Sequence, residues 1–166
     1  MNAAQIILAL VTIERLAELW LARRNTSALL RQGAFEVAAG HYGLIVVLHV
    51  LWLAGLWWFG WAQAVNGFWL AVFLVLQLGR IWVLSTLGRR WTTRIIILPN
   101  APLIGSGPYR YVSHPNYLVV IGEIAVLPLA LDLPVLAVAF SLANAIVLFI
   151  RVRAESSALR EIGHVA

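Results

Sequence analysis

The sequence predicts an all-α integral membrane protein with five transmembrane helices, a cytoplasmic cap segment and a C-terminal cytoplasmic helix. Residues 1–166 are expected to form a single domain. Three observations carry this expectation. Hydrophobic residues make up 62% of the chain and charged residues 11%, whereas soluble domains have close to half and about a quarter. Five segments, roughly 2–22, 42–60, 66–87, 115–131 and 133–152, approach the ~20 apolar residues that a spanning helix needs. The arginines collect in alternate connections, as cytoplasmic loops require.

The first segment, MNAAQIILALVTIERLAELW, lacks a positive leading region. It puts Glu14, Arg15 and Glu18 where a cleavage site would fall, so it reads as a retained helix rather than a signal peptide. Gly60 to Gly67 separates the second and third spans. Pro128 to Pro134 turns the fourth into the fifth, with Asp132 at the tip of a tight hairpin. The fourth is slightly short, which tilting or local shielding accommodates. Between the third and fourth, residues 88–114 hold an apolar run (IIILP), a small-residue turn (NAPLIGSG) and a Pro-Tyr turn. Those apolar residues need burial, so the segment should fold back into the bundle mouth as a cap. After Arg151, VRAESSALREIG continues as a helix with Gly163 as its stop.

Charge sets the orientation. Arg23, Arg24 and Arg31 follow the first span, Arg89, Arg90, Arg94 and Arg110 the third, and Arg151, Arg153 and Arg160 the fifth, while 60–67 and 128–134 carry none. The N-terminus is then outside, and both basic loops and the C-terminal tail are cytoplasmic. Tryptophans 57, 58, 61 and 69 flank the outer connection and Trp20, Trp82 and Trp91 lie near inner ends, as an aromatic belt requires. The net charge of +5 is all arginine; in such a chain it addresses anionic headgroups and membrane lipid, not nucleic acid. Arginine without lysine, with abundant Ala, Leu and Val, suits a GC-rich bacterial genome and a bacterial cytoplasmic membrane. Without cysteine there are no disulfides, thiolate metal sites or cysteine nucleophiles.

Chemistry concentrates in Gly107 to Glu123, GPYRYVSHPNYLVVIGE. Polar groups at membrane depth cost several kcal/mol unless they face protein or a wet cavity, so they usually mark a site. By depth, Glu14, Arg15, Glu18, His49, Gln77, Arg80, Glu123, Asn144 and Arg151 share the inner half of the bundle. That common level beneath the cap implies a pocket near the inner leaflet. Arg15 and Glu18, at i,i+3, read as a structural ion pair, and Arg80 can pair with a carboxylate. Glu123 and His114 are candidate general bases. Proline disfavours helical geometry at the residue before it, so His114 precedes a helix that starts at Pro115. The N–H groups of 116–118 would then suit an anion, with Arg110 or Arg94 nearby; alternatively Ser113 or His114 simply caps the helix. Arg151 and Glu155, at i,i+4, are either an exposed bridge or ligand contacts. There is no phosphate-binding Gly loop, HExxH, GxSxG or dinucleotide fingerprint. His41 and His49 lack carboxylates at ligand spacing, so no metal site is expected.

GPYRYVSHPNY together with the closing RVRAESSAL resembles the isoprenylcysteine carboxyl methyltransferase family of membrane methyltransferases, across residues 88–160. ERLAELWLARRN, RQGAFE and HYGLIVVLH resemble its short bacterial branch, which is similar to O-methyltransferases of alkylpyrones and phenolic lipids. The resemblance implies S-adenosylmethionine as cofactor, held between the cap and the start of the fourth and fifth spans. Carried over, its binding stretch falls on Ala101, Pro102, Leu103 and Ile104, and its turn tyrosine on Tyr109. The His-Pro-x-Tyr element falls on His114, Pro115, Asn116 and Tyr117, and the tail glutamate on Glu155. The arginine near the acceptor matches Arg151. A cofactor-contacting glutamine aligns with Arg94, a departure from the pattern, and a eukaryotic run of glutamates is reduced to Glu155. The acceptor implied is a lipophilic small molecule entering from the inner leaflet. Two other readings stand beside it: carboxyl methylation of prenylated cysteine, and a non-enzymatic lipid-binding or assembly subunit.

Overall fold

Local sequence starts four of the five long helices in a recognisable way. Asn2 and Gln5 form a reciprocal capping box at the head of α1 (Ala3–Arg31), with bonds of 2.9 and 3.1 Å. Asn66 caps α3 (Gly67–Leu87) by accepting from the N–H groups of Phe68 and Trp69. Proline occupies the first position of α4 (Pro115–Ala130) and of α5 (Pro134–Gly163), where its missing N–H costs nothing. α2 covers Tyr42–Gly60. This computed structural model describes residues 2–37, 39–99 and 101–163, without the side chains of His41 and of 156–163, so Arg160 and the His41 imidazole lie outside the described groups.

All five helices begin within about a residue of the spans read from the sequence. The first helix is longer than expected: nothing interrupts it until Gly33, whose φ of 89° ends the run. The fifth is also continuous, so the C-terminal helix is its extension and not a separate element. Helices α2, α3 and α5 are long and apolar enough to cross a membrane, and α4 is a shorter apolar helix. α1 carries Glu14, Arg15 and Glu18 in its middle.

α4 lies at the centre, against α3 on one side and α5 on the other; α5 also meets α2, and α2 meets α1. Gly79 faces Val119 and Gly122 faces Leu76. Small residues there let α3 and α4 approach closely, which is how helices associate without a water-driven force. Leu8, Val11, Leu48, Trp52, Leu56, Phe73, Leu127 and Leu131 form the core, while Val75, Leu78, Val138 and Leu142 point outward. A bundle that is apolar within and without has lipid as its solvent.

The two ends differ in kind. At one, the Asn2 amide donates to the Trp61 carbonyl (3.1 Å) and Asn66 N–H to Ala130 (2.8 Å). The α4–α5 hairpin turns there through Asp132, at φ 54°, with Leu133 N–H returning to Pro128. At the other end lies the 88–114 connection. The buried Asn25 amide donates to the carbonyls of Gly88 (3.2 Å) and Trp91 (2.8 Å), fixing its start on α1. The apolar run does not simply drop into the bundle mouth. Ile96–Ile97 (β2) pairs antiparallel with Phe35–Glu36 (β1), Phe35 opposite Ile97, and Arg94 donates to Glu36 (2.7 Å) beside that ladder. Two connections, 32–41 and 88–114, are thereby sewn together.

Candidate active site

Two polar networks border one cavity of about 250 Å³. The first joins α1, α3 and α4. Arg80 donates through Nε to Glu123 (2.7 Å), through Nη2 to the other Glu123 oxygen, and through Nη1 to Glu18 (3.1 Å). Arg15 bridges Glu18 (2.9 Å) and Glu123 (3.1 Å), and Gln77 donates to Glu14 (3.0 Å). The Arg15–Glu18 pair read from the sequence is present, and Arg80 does find a carboxylate.

That network corrects the role expected of Glu123. Its side chain is 3% exposed, both oxygens are engaged by guanidinium groups, and it is absent from the cavity wall. A carboxylate held this way is a counter-ion for the buried Arg80 and the part-buried Arg15, with neither oxygen free for an acceptor. The sequence could place Glu123 at the right depth but could not show two arginines from other helices converging on it.

The second network joins α4, α5 and the 88–114 connection. Tyr117 donates its hydroxyl proton to Glu155 (2.6 Å) and accepts from Arg151 Nε (2.9 Å), while Arg151 Nη1 donates to the Thr93 carbonyl (2.9 Å). Arg151 and Glu155 thus meet through the tyrosine oxygen, not as the direct i,i+4 bridge that was one reading of their spacing. The His114 ring stacks on Tyr117, centroids 5.0 Å apart and 12° from parallel, and makes no capping bond. The expected free N–H groups are fewer than three, because Tyr117 and Leu118 turn back to the His114 carbonyl (3.1 and 3.4 Å). Tyr109 is half-buried; burial first, and the Glu155 carboxylate second, push its phenol up to about 12.

The cavity wall takes Asn116 and Tyr117 from α4, Arg151 from α5, and Trp91, Thr92 and Thr93 from the connection. Both Asn116 and Trp91 line the cavity, and Asn116 Oδ1 and Trp91 Nε1 are buried without a partner, which is rare for polar groups in a protein interior. Across from them, Leu16 of α1 and Val46 and Val50 of α2 also line the cavity yet are 62%, 39% and 59% exposed. The cavity therefore opens sideways between α1 and α2 onto the apolar surface. Pro115 is buried at the start of α4. Ala101, Pro102, Leu103 and Ile104 stand apart from the wall: Leu103 is 87% exposed, and Arg90 holds the Pro102 carbonyl at 2.6 Å. Arg94 is likewise off the wall, spent on Glu36 and stacked over Tyr42 at 4.4 Å.

Sequence reading missed two contributors to this wall: Trp91 looked like a belt residue, and Thr93 acts through its backbone. His49, expected at the depth of the pocket, does line it.

Residues 69–161 match the isoprenylcysteine carboxyl methyltransferase (ICMT) family. The chain is also 37% identical to "Uncharacterized protein YpbQ" of Bacillus subtilis (strain 168), over 94% of this chain and 96% of that protein.

Proposed function

The chain belongs to the isoprenylcysteine carboxyl methyltransferase family, a family of membrane methyltransferases, and we propose that it moves a methyl group from S-adenosylmethionine to an oxygen of a lipophilic acceptor, of alkylpyrone or phenolic-lipid type. The observation that carries this reading is a single cavity with a polar wall at Tyr117, Asn116 and Arg151 and an apolar side open between α1 and α2. Such a cavity suits a polar cofactor from water meeting an acceptor that arrives from lipid.

The residues present fit S-adenosylmethionine. Its amino-acid end carries a cation and an anion, which Glu155 and Arg151 complement. Asn116 and Trp91, which line the cavity with Oδ1 and Nε1 unpartnered, would reach its remaining polar edges after a side-chain rotation. Tyr109, His114, Pro115 and Tyr117 would surround it, and Ala101 to Ile104 would close over it, covering the exposed Leu103. Bound there, the cofactor supplies a methyl group on a positively charged sulfur. In-line transfer then depends mainly on alignment and exclusion of water, which the stacked His114–Tyr117 pair and the buried Trp91 of the cavity wall favour.

The same geometry supports five spans with the 88–114 side in the cytoplasm. α1 is tied to Trp61 at one end and to Gly88 and Trp91 at the other, so it runs the height of the bundle. At 29 residues it is about 43 Å long. Arg15 and Arg80 apart, the arginines lie towards the 88–114 end, as the positive-inside rule asks. Acceptors would then enter from the inner leaflet. Incubation of the purified protein with methyl-labelled cofactor and long-chain phenols, pyrones, carboxylic acids and a prenylated cysteine tests the acceptor. Label in phenols or pyrones supports this reading, and label in the prenylated cysteine alone replaces it with carboxyl methylation.

A further inference from the structure

Seven titratable side chains line the cavity, and among the described residues six are already engaged at the atoms that could take a proton or cannot act as a base. Arg15, Arg80 and Arg151 are guanidinium groups, Glu18 is held by two of them, Tyr117 is shared between Glu155 and Arg151, and the Tyr42 hydroxyl meets Thr93 at 3.2 Å. The seventh is His49 of α2. Its Nδ1 lies 2.8 Å from the Ile45 carbonyl. A carbonyl oxygen only accepts, so Nδ1 carries the hydrogen, and the lone pair of the neutral ring is on Nε2. No described group bonds Nε2. The helix's own i−4 carbonyl thus fixes the tautomer that a base requires, on a residue that lines the same cavity as Tyr117 and Arg151.

We infer that His49 is the general base for hydroxyl acceptors, an inference that rests on the methyl transfer proposed above. The acceptor oxygen forms the new bond to the methyl carbon. The carbon–sulfur bond of the donor breaks with its electron pair left on sulfur, and the hydroxyl proton passes to Nε2. The imidazolium then returns that proton to water. Acceptors that arrive ionised, such as carboxylic acids, need no such step. His49 therefore points to a weakly acidic hydroxyl, a phenol above all, as the substrate class.

The test compares wild type, His49→Gln and His49→Ala in detergent. Wild type and H49Q are assayed with a long-chain phenol and a long-chain carboxylic acid. Positioned general bases contribute about 10²–10⁴-fold, so H49Q should lower the phenol-to-carboxylate turnover ratio by ~10²-fold or more, with calorimetric S-adenosylmethionine affinity retained. Added imidazole should restore phenol turnover in H49A. A readout without cofactor uses a long-chain nitrophenol below its solution pKa: the phenolate absorption band should develop on wild type and be lost on H49Q. An unchanged ratio, or a phenolate band that persists in H49Q, overturns the inference, as does wild-type transfer to carboxylic acids alone. Wild-type protein that methylates nothing defeats the methyltransferase reading itself, whereas wild-type transfer to phenols with H49Q undiminished defeats only the role of His49.

Discussion

Replacing Arg80 by leucine should be among the most destabilising single changes in the molecule. Arg80 is 4% exposed and gives three nitrogens to two carboxylates, Glu123 and Glu18. Without it, Glu123 keeps only Arg15 Nη2 at 3.1 Å, and three carboxylates share one guanidinium. Removing one partner of a buried ion pair costs about 3–5 kcal/mol, because the other charge stays buried. At ~2–4 °C per kcal/mol for a chain of this size, thermal unfolding in detergent should move down by roughly 6–20 °C. Arg80→Leu with Glu123→Leu removes both charges and should recover most of that loss, since apolar replacements of a whole buried pair are often neutral. A single variant within about 1 kcal/mol of wild type, the scale of an exposed pair, would refute the counter-ion role of Glu123. A double variant no more stable than the single would do the same.

Three other outcomes follow from particular contacts. Tyr117→Phe deletes the oxygen between Glu155 and Arg151; charge-assisted bonds of this kind contribute about 1.5–3 kcal/mol, and direct Arg151–Glu155 pairing should offset part of it. Calorimetry should then show S-adenosylmethionine binding weakened roughly 10-fold, or ~1.4 kcal/mol, and unchanged affinity would count against the site. Gly107 sits at φ 57° with the Thr86 side chain where a Cβ would go, so Gly107→Ala should destabilise by about 1–3 kcal/mol, read by the same melting assay. Tyr109 has its phenol pushed from 10.0 to about 12, so the unfolded chain loses that proton first. Its contribution is complete below pH 10.0 and disappears as pH rises through about 12. Tyr109→Phe should flatten the alkaline fall in stability across that window, and an identical fall in the variant would show the tyrosine uninvolved.

Helix positions were legible because their causes are local. Long apolar runs, Pro115 and Pro134 at first positions, and the Gly60–Gly67 turn fix most boundaries without reference to the rest of the chain. The two-residue strands were not legible, since Phe35–Glu36 and Ile96–Ile97 are too short for an alternating pattern and are about 60 positions apart. Depth along each span put Glu123, Arg80 and Arg15 at one level, but azimuth decides who meets whom. Helix rotation depends on packing between neighbours, such as Gly79 against Val119 and Gly122 against Leu76, which no linear pattern reveals. The same limit hid His49: its depth was plain, whereas the carbonyl that fixes its tautomer and the cavity beside it belong to three dimensions. Tyr117, Arg151 and Glu155 lay in the stretches that resemble the family, and the structure brings them within hydrogen-bonding distance of one another.

The most direct measurement is calorimetric titration of S-adenosylmethionine into the purified protein, wild type beside Glu155→Ala and His114→Ala. Binding by wild type that is lost in Glu155→Ala and weakened in His114→Ala is the expected result. Wild-type affinity in both variants, each folded by its melting curve, would contradict a methyl-donor site built around Tyr117.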